Sequence, residues 1–415
     1  MSKNLFLKSL LALSVLSIVM ASSVSAQKLR IGVIEPYSGP VAAVGIEAVE
    51  TIELAAERIN ARGGVQFEII RMDNAMNAEK TTQQLKKAID MGLRYVSQGV
   101  GSNHALNIIE FLEKHNKRNR KKPVVYFNTA AVTTDFTEDK CSFWHFRFDA
   151  NVDMKVAGLA TVMGQDPKVK KIYMVNQNYA YGQSFQGAAR KLIKSRTKAQ
   201  LVGDDLIVPF GKVLDFTPYV AKIKSSGADT VLTGNWGPDF MRLVKAIGEA
   251  GLDVQVYSIY AGIPSSVFGY GKENGVKTRI KQITEAHEND EDRADVKAIG
   301  EANMAKFKRS WYSDRYRFFL EMIALAAKKA GSDDPVKVAK ALEGLDYQGP
   351  KGSTITMRKQ DHQIIMPMVV SEIDPNAPIK MIYNDQPVGI AWKTVGWASK
   401  DDMTLKSVCK MKRPK

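Results

Sequence analysis

A serine stands at a point of the chain where an anion could bind. Residues 95–99 form a short β-type run that breaks at Gly99 and Gly101 and leads to Ser102 at the predicted start of a helix. The first turn of a helix has unpaired backbone N–H groups and a partial positive charge. Ser102 adds a hydroxyl donor, so this corner suits a carboxylate. The alternative is that Ser102 or Asn103 only caps its own helix.

Three further loops carry small, polar and aromatic residues after predicted strands. They are residues 128–132, 178–182 and 234–239. Loops at the carboxyl ends of parallel strands commonly line one cleft, so we expect them to share a binding site with Ser102. The aromatic residues in and near these loops are Tyr37, Tyr179, Tyr181, Trp236 and Tyr260. Such residues also complete hydrophobic cores, but their shared position after strands favours binding.

The familiar motifs of enzymes are not found in the sequence. Gly32 is followed by Val33 and Ile34 rather than by the closely spaced glycines of a dinucleotide site, and residues 269–272 lack P-loop spacing. No Gly-x-Ser-x-Gly pattern and no nucleophile with a matching base occurs. We therefore predict no catalytic residue and no cofactor, and an exported hydrolase is the weakest alternative.

Charged and metal-binding residue types form no convincing site. The five histidines lack zinc-ligand spacing, and the acidic residues between 285 and 292 lack the order of a calcium loop, so we predict a solvated loop there. The net charge of +15 is spread along the chain. The one dense basic run, residues 114–122, contains no aromatic residues for stacking on bases, so we predict a solvated helix end and no nucleic-acid partner.

The amino terminus predicts export. Residues 1–26 contain Lys3 and Lys8, an apolar run and a final stretch of small residues, as in a cleaved signal peptide. Gln27 rather than a cysteine follows, which argues against a lipid anchor. In an oxidising compartment the only two cysteines, Cys141 and Cys409, are expected to form a disulfide. Such a long closed loop would contribute roughly 4 to 5 kcal/mol on the entropic model.

The rest of the chain shows a strand–helix rhythm that runs twice. It predicts an α/β fold of two similar parallel-sheet domains joined by three hinge crossings. We place the first lobe at residues 27–147 plus 284–363 and the second at residues 148–283 plus 364–415. The connector 143–151 is predicted as an extended crossing strand. Residues 381–402 either pack on the second domain or form part of a docking surface.

Several short motifs together resemble one family. They are residues 31–33, 38–40, 59–65, 128–132, 181–182 and 234–237, with Gly45 and the Ser102 loop. In this order they resemble the periplasmic solute-binding proteins of ABC transporters, in the leucine/isoleucine/valine-binding group with the type I periplasmic-binding fold. The resemblance covers nearly the whole mature chain. It implies a periplasmic receptor that closes two lobes on a small solute and then docks on a membrane permease.

The resemblance also implies roles for single residues. The carboxylate-binding serine of the family falls on Ser102, and the loop that supplies backbone contacts falls on Ala130, Ala131 and Val132. Tyr181 takes the place of the lid tyrosine. The other predicted ligand-binding residues are Gly101, Tyr179, Asn235, Trp236 and Tyr260.

Three positions depart from the pattern of the amino-acid binders. Val132 stands where they often have a threonine, and Val44 where a bulky aromatic often closes the pocket. Tyr260 and its neighbours occupy the place of the acidic residue that pairs with the ligand ammonium; Asp239 and Glu35 are the nearest substitutes in the sequence. Burying an ammonium without a negative partner costs several kcal/mol.

Two solutes are therefore open: a branched-chain or other apolar amino acid, and an amine-free carboxylate with an aromatic body. The predicted partners are the solute and an inner-membrane ABC permease, with the receptor a monomer. The alternative is a receptor that signals to a sensor kinase or chemoreceptor.

Overall fold

The computed structural model describes residues 27–207, 211–290, 293–349 and 352–414. The predicted signal peptide, residues 1–26, lies outside these ranges. Most of the described chain forms two separate sheets with helices packed on them. The predicted α/β architecture of two parallel-sheet domains is confirmed.

The first sheet is parallel throughout and has the strand order β2-β1-β3-β4-β5. Its strands are β1 (Gln27–Glu35), β2 (Val65–Asp73), β3 (Tyr95–Gln98), β4 (Val125–Asn128) and β5 (His145–Arg147). The connecting helices are α1 (Ala42–Ala61), α2 (Ala78–Asp90) and α3 (Ser102–Arg118). The central strands are buried on both faces, as expected where helices cover both sides. The predicted crossing strand 143–151 thus begins as a fifth strand of this sheet.

The second sheet has seven strands in the order β17-β14-β10-β9-β8-β6-β7. Its parallel strands are β6 (Lys171–Gln177), β7 (Gln200–Ile207), β8 (Thr230–Thr233), β9 (Gln255–Ser258) and β10 (Lys281–Thr284). The helices are α4 (Val152–Met163), α5 (Ala180–Arg196), α6 (Thr217–Ser225), α7 (Gly237–Glu249) and α8 (Pro264–Lys277). Later in the chain, β14 (Met368–Asp374) and β17 (Ala391–Ala398) add to this sheet in antiparallel fashion.

Three helices follow β10, and the middle one packs on the first sheet. They are α9 (Ala294–Phe307), α10 (Arg315–Ala330) and α11 (Pro335–Leu342). Helix α10 packs against α1 and β2, and its Phe319 ring contacts Phe127 of β4 at 5.6 Å. We call β1–β5 with α1–α3, α10 and α11 the first lobe, and the second sheet with α4–α8 the second lobe.

Short elements complete the chain. They are a 3-10 helix (Thr134–Thr137), β11 (Asp346–Gln348), β12 (Thr354–Met357), β13 (Ile364–Ile365), β15 (Ile382–Tyr383), β16 (Gln386–Pro387) and α12 (Lys400–Met403). Strands β11–β13 form a small antiparallel sheet, and β15 pairs with β16. Within the described ranges, none of the helices combines the length and the apolar character that a membrane span requires.

The first and third crossings lie side by side. The backbone N–H of Arg147 donates to the carbonyl of His362 at 2.9 Å, and the Arg147 Nε donates to Gln363 at 2.7 Å. Burial lowers the pKa of Arg147 to about 10, with opposing contributions from Asp361 and Asp149, so the guanidinium keeps its charge at neutral pH. The proposed lobe boundaries at 147/148, 283/284 and 363/364 stay a prediction.

The second crossing corrects one expectation. We predicted a solvated acidic loop after residue 284, but Glu285, Glu288 and Asp290 are all buried. The reason is that the chain passes between the lobes here, and Arg315 at the start of α10 pairs with Glu285 at 3.1 Å. The basic run 114–122, in contrast, is a helix end whose lysine and arginine side chains are exposed, as predicted.

The C-terminal segment serves both lobes. Trp392 of β17 is buried in the core of the second lobe, so residues 381–402 pack on that domain. Beyond α12, however, the chain returns to the first lobe: Val408 donates its N–H to Glu138 at 2.6 Å, and Cys409 forms the predicted disulfide with Cys141. The last residues therefore do not follow the second lobe as we had placed them.

Candidate ligand-binding site

The loop between β3 and α3 builds the corner predicted from the sequence. Gly101 is the N-cap residue of α3 and has a φ of 97°, a left-handed conformation that favours glycine. Ser102 is the first helical residue, so it does not cap α3. Within the described ranges its hydroxyl makes no hydrogen bond, and it lines a cavity between the lobes.

Part of this corner is already occupied by an internal carboxylate. The backbone N–H groups of Gly99 and Val100 donate to Glu35 of β1 at 2.7 and 3.0 Å. Burial raises the pKa of Glu35 to about 8, against the lowering effect of these two amides and of Arg315. The donors left to an incoming anion are the Ser102 hydroxyl and the first amides of α3.

The cavity is narrow and has a mainly apolar and aromatic wall. It is lined by Val44, Gly99, Val100, Gly101, Ser102, Ala130, Tyr179, Tyr181, Trp236, Tyr260, Ile263 and Tyr312. Seven of the ten ligand-binding residues predicted from the sequence are among them. They come from both lobes, so the structure brings these loops together as the parallel-sheet topology implies.

Three predicted residues lie outside this lining. Ala131 is held by the Asn128 side chain, which contacts both its N–H and its carbonyl at 2.8 Å. The carbonyl of Val132 accepts from the N–H of Val152 at 2.9 Å, and Asn235 is fully buried beside Thr233. All three support the loops that carry the lining residues.

Sequence reasoning missed four lining residues. Gly99 and Val100 precede the predicted corner by one or two residues, and Ile263 follows Tyr260 by three, so a wider reading of the loops after strands would have found them. Tyr312 lies just before α10. Its place at the cavity depends on how the second crossing returns to the first lobe, which no local pattern indicates.

The aromatic residues of the second lobe form a fixed wall. The Tyr181 hydroxyl donates to the carbonyl of Gly234 at 2.5 Å, and the indole N–H of Trp236 donates to the Tyr179 hydroxyl at 2.8 Å. The rings of Tyr181 and Tyr260 lie 6.1 Å apart. Such rigid rings offer apolar surface to a solute at little cost in side-chain entropy.

Tyr260 connects the two lobes at the cavity. Its hydroxyl lies 2.9 Å from the carbonyl oxygen of Ala130 and 2.8 Å from Oδ2 of Asp149. The pKa of Asp149 lies below its ordinary range. Burial alone would raise this pKa, but Lys155, whose Nζ lies 2.7 Å from the carboxylate, and Arg315 lower it by more than burial raises it. The Tyr260 hydroxyl has one proton, so it donates to one of these two oxygens at a time, and Asp149 is also paired with Lys155.

No carboxylate is among the residues that line the described cavity. Glu35 is turned to the amides of Gly99 and Val100. Asp239 accepts from Gln177 at 3.0 Å and from the N–H of Gly211 at 2.8 Å. Neither of the two acidic residues considered from the sequence is among the residues that line this cavity.

The comparisons with known proteins agree with this geometry. The model of a family described as periplasmic binding protein matches residues 28–378. The chain belongs to this family. The family is one of periplasmic binding proteins rather than enzymes, and the resemblance noted from the sequence is confirmed.

Relatives of this periplasmic binding protein match over its full length. The Leu/Ile/Val-binding protein homolog 4 of Brucella abortus (strain 2308) is 31% identical over 432 positions, which cover 100% of each chain. The closed leucine-, isoleucine-, valine-, threonine- and alanine-binding protein of Brucella ovis is 28% identical, with a TM-score of 0.84 over 94% of this chain and 100% of that one. A solute-binding protein of R. palustris in complex with benzoate has the same fold at 18% identity, with a TM-score of 0.73 over 90% and 96% of the two chains.

Proposed function

We propose that this protein is an exported receptor that closes on an amine-free carboxylate with an apolar or aromatic body and delivers it, as a monomer, to an ABC-type permease. In this proposal residues 1–26 are a cleaved signal peptide. The carboxylate lies at Ser102, and the body of the solute lies among the aromatic residues of the second lobe.

The observation that carries the choice of solute is the contact of Tyr260 with Ala130. The resemblance to the amino-acid binders assigns backbone contacts with the ligand to the Ala130 loop and an acidic residue to the position near Tyr260. Here the Tyr260 hydroxyl occupies the Ala130 carbonyl, and no lining residue of the described cavity is acidic. An ammonium buried there without a negative partner costs several kcal/mol, and each 1.4 kcal/mol is about a tenfold loss of affinity.

Contacts across the cleft support closure as the mechanism. Besides the Tyr260 bridge, the N–H of Ser265 at the start of α8 donates to Glu47 of α1 at 3.1 Å, and Thr134 lies 3.4 Å from Ser184. All three contacts join the first lobe to the second. A solute that touches both lobes favours the closed arrangement by its difference in affinity for the two states.

Matched pairs of solutes test this proposal. Isothermal titration of refolded, solute-free protein compares 3-phenylpropionate with phenylalanine and 4-methylpentanoate with leucine. The relatives justify both classes, since the Brucella ovis protein is described as binding leucine, isoleucine and valine and the R. palustris protein was solved with benzoate. We expect the amine-free acid of each pair to bind at least tenfold more tightly. Binding of only the amino acids would overturn the choice of solute.

A further inference from the structure

A second cavity lies behind the wall of the first. It has room for about one small group such as a water molecule or a hydroxyl, and it shares Tyr260, Ile263 and Tyr312 with the ligand cavity. The rest of its wall comes from the loop after β9, the second crossing, β10, the residues before α10, and Met381 and Trp392 of the C-terminal segment. We call it the rear cavity.

Several buried polar atoms without partners belong to residues in the wall of the rear cavity. Within the described residues, Nε and Nη2 of Arg315, Nε1 of Trp311, Nδ1 of His287 and Oε1 of Glu288 make no hydrogen bond. All four residues are at least nine-tenths buried. Buried polar groups in native proteins are as a rule paired with protein, water or ligand atoms. Several unpaired donors and acceptors around one space therefore indicate that a polar group binds in it.

The charges around the rear cavity are already balanced. Arg315 and Lys155 face two carboxylates, Asp149 and Glu285, at ion-pair distances between 2.7 and 3.6 Å. Burial lowers the pKa of His287 to about 4, so its ring is neutral, and burial raises the pKa of Glu288. The unpaired atoms of the wall therefore lack hydrogen-bond partners and not a counter-charge. A neutral group such as a hydroxyl, carbonyl or amide provides these hydrogen bonds at lower cost than a second carboxylate.

We propose that the rear cavity is a second subsite, which receives a neutral hydrogen-bonding group at the far end of the solute whose carboxylate lies at Ser102. The inference rests on the proposed function and adds the class of solute: a carboxylate with a distal hydroxyl, carbonyl or amide. In this proposal the side chain of Tyr312, which separates the two cavities, rotates to let the solute reach the rear cavity. It is free to do so because its hydroxyl makes no hydrogen bond within the described chain. Tyr260 stays fixed by Ala130 and Asp149.

A series of acids of increasing length tests the subsite. The probes are benzoate, phenylacetate and 3-phenylpropionate, each compared with its 4-hydroxy derivative by titration of the wild-type protein. We expect the hydroxyl to strengthen binding about tenfold or more at the length that reaches Arg315 and Trp311, and to have little effect at the shorter lengths. Equal affinities within every pair would overturn the subsite.

Two variants locate the effect. Ala286→Leu fills the rear cavity without touching the ligand cavity, and it should abolish the gain from the hydroxyl while leaving the affinity for the parent acid unchanged within about twofold. Trp311→Phe keeps a smaller aromatic ring, removes the unpaired N–H and should lose part of the gain. Thermal unfolding of each variant checks that it folds.

The outcomes separate this inference from the proposed function. If parent acids bind but neither the hydroxyl nor Ala286→Leu changes their affinity, the rear cavity holds only water and the proposed function stands. If none of the acids binds at all, the proposed function fails and the subsite fails with it.

Discussion

In the proposed function, Tyr260 selects against solutes that carry an amine. Its phenol hydroxyl lies against the Ala130 carbonyl and Asp149, where the proposal would otherwise place the N–H groups of an ammonium. We expect an amine that enters to compete with the protein's own hydrogen bonds.

The first residue-scale prediction concerns this selection. Tyr260→Phe frees the Ala130 carbonyl and one oxygen of the ionised Asp149, so the ratio of affinities for 3-phenylpropionate over phenylalanine should fall by about tenfold or more. Tyr181→Phe is the matched control, because its hydroxyl contacts only Gly234 of the same lobe. It should change both affinities alike. A ratio that Tyr260→Phe leaves unchanged would contradict the role given to the hydroxyl.

The second residue-scale prediction concerns the anion corner. Ser102→Ala removes the hydroxyl donor and should weaken binding of the carboxylate by about 1 to 3 kcal/mol in a titration. Asn103→Ala changes the next residue of the same helical turn, which is exposed, and should leave the affinity unchanged. Equal affinities of wild type and Ser102→Ala would mean that the anion binds elsewhere.

At the scale of elements, α1 of the first lobe meets the amino terminus of α8 of the second. Glu47 is buried at this contact, and burial raises its pKa to about 8, against the lowering effects of Ser265 and Arg309; Glu50 adds to the rise. Opening the cleft would expose Glu47 to water, and its pKa would return toward 4.5. At a pH between 4.5 and 8, closure of the cleft therefore takes up a proton.

The pH dependence of binding follows from this contact. Because the pKa of Glu47 is raised in the closed form, the contribution of Glu47 to closure is fully present below about pH 4.5. This contribution is lost as the pH rises through 8. Affinity measured by titration should fall across that window by no more than about tenfold per pH unit. Glu47→Gln should flatten the profile, whereas Glu53→Gln, on the same helix but paired with Arg71, should keep it. A flat wild-type profile would rule out this coupling.

Long elements were easier to predict than short ones. The apolar runs of β1 and β14 and the periodic faces of α1 and α10 are local signals that extend over seven or more residues. Strands β11–β13 have only two to four residues, which is too short for an alternating pattern to mark them. The burial of Glu285 was missed for a different reason: its partner Arg315 is 30 residues away in the sequence.

The residues of the candidate site also fall into two groups: those that a local pattern predicts and those that depend on contacts distant in the sequence. Ser102, Tyr181 and Trp236 follow strands of a parallel sheet, and that rule places them in the cavity. Tyr312 and Arg315 reach the site only through the return of the second crossing. The sequence also counted Glu35 as a possible ammonium partner, because it cannot reveal that two backbone amides already hold its carboxylate.

At the scale of the whole molecule, the disulfide joins residues 268 positions apart. Replacing both cysteines by serine should lower the free energy of unfolding by about 2 to 5 kcal/mol, mainly because the unfolded chain regains entropy. Denaturant titration measures this loss. Reductant should lower the midpoint of the wild type and leave the double variant unchanged. Identical midpoints for the oxidised wild type and the variant would contradict a stabilising bridge.

The bridge also makes most of the protein a covalent ring. The chain from Cys141 to Cys409 contains every strand of the second sheet and the helices α4–α12, and both of its ends are fastened at the first lobe. A protease that cuts any exposed loop of this ring once opens the circle without releasing a fragment. The nicked protein should therefore keep its full mass on a non-reducing gel and separate into two pieces only after reduction, so a single cut leaves both lobes joined.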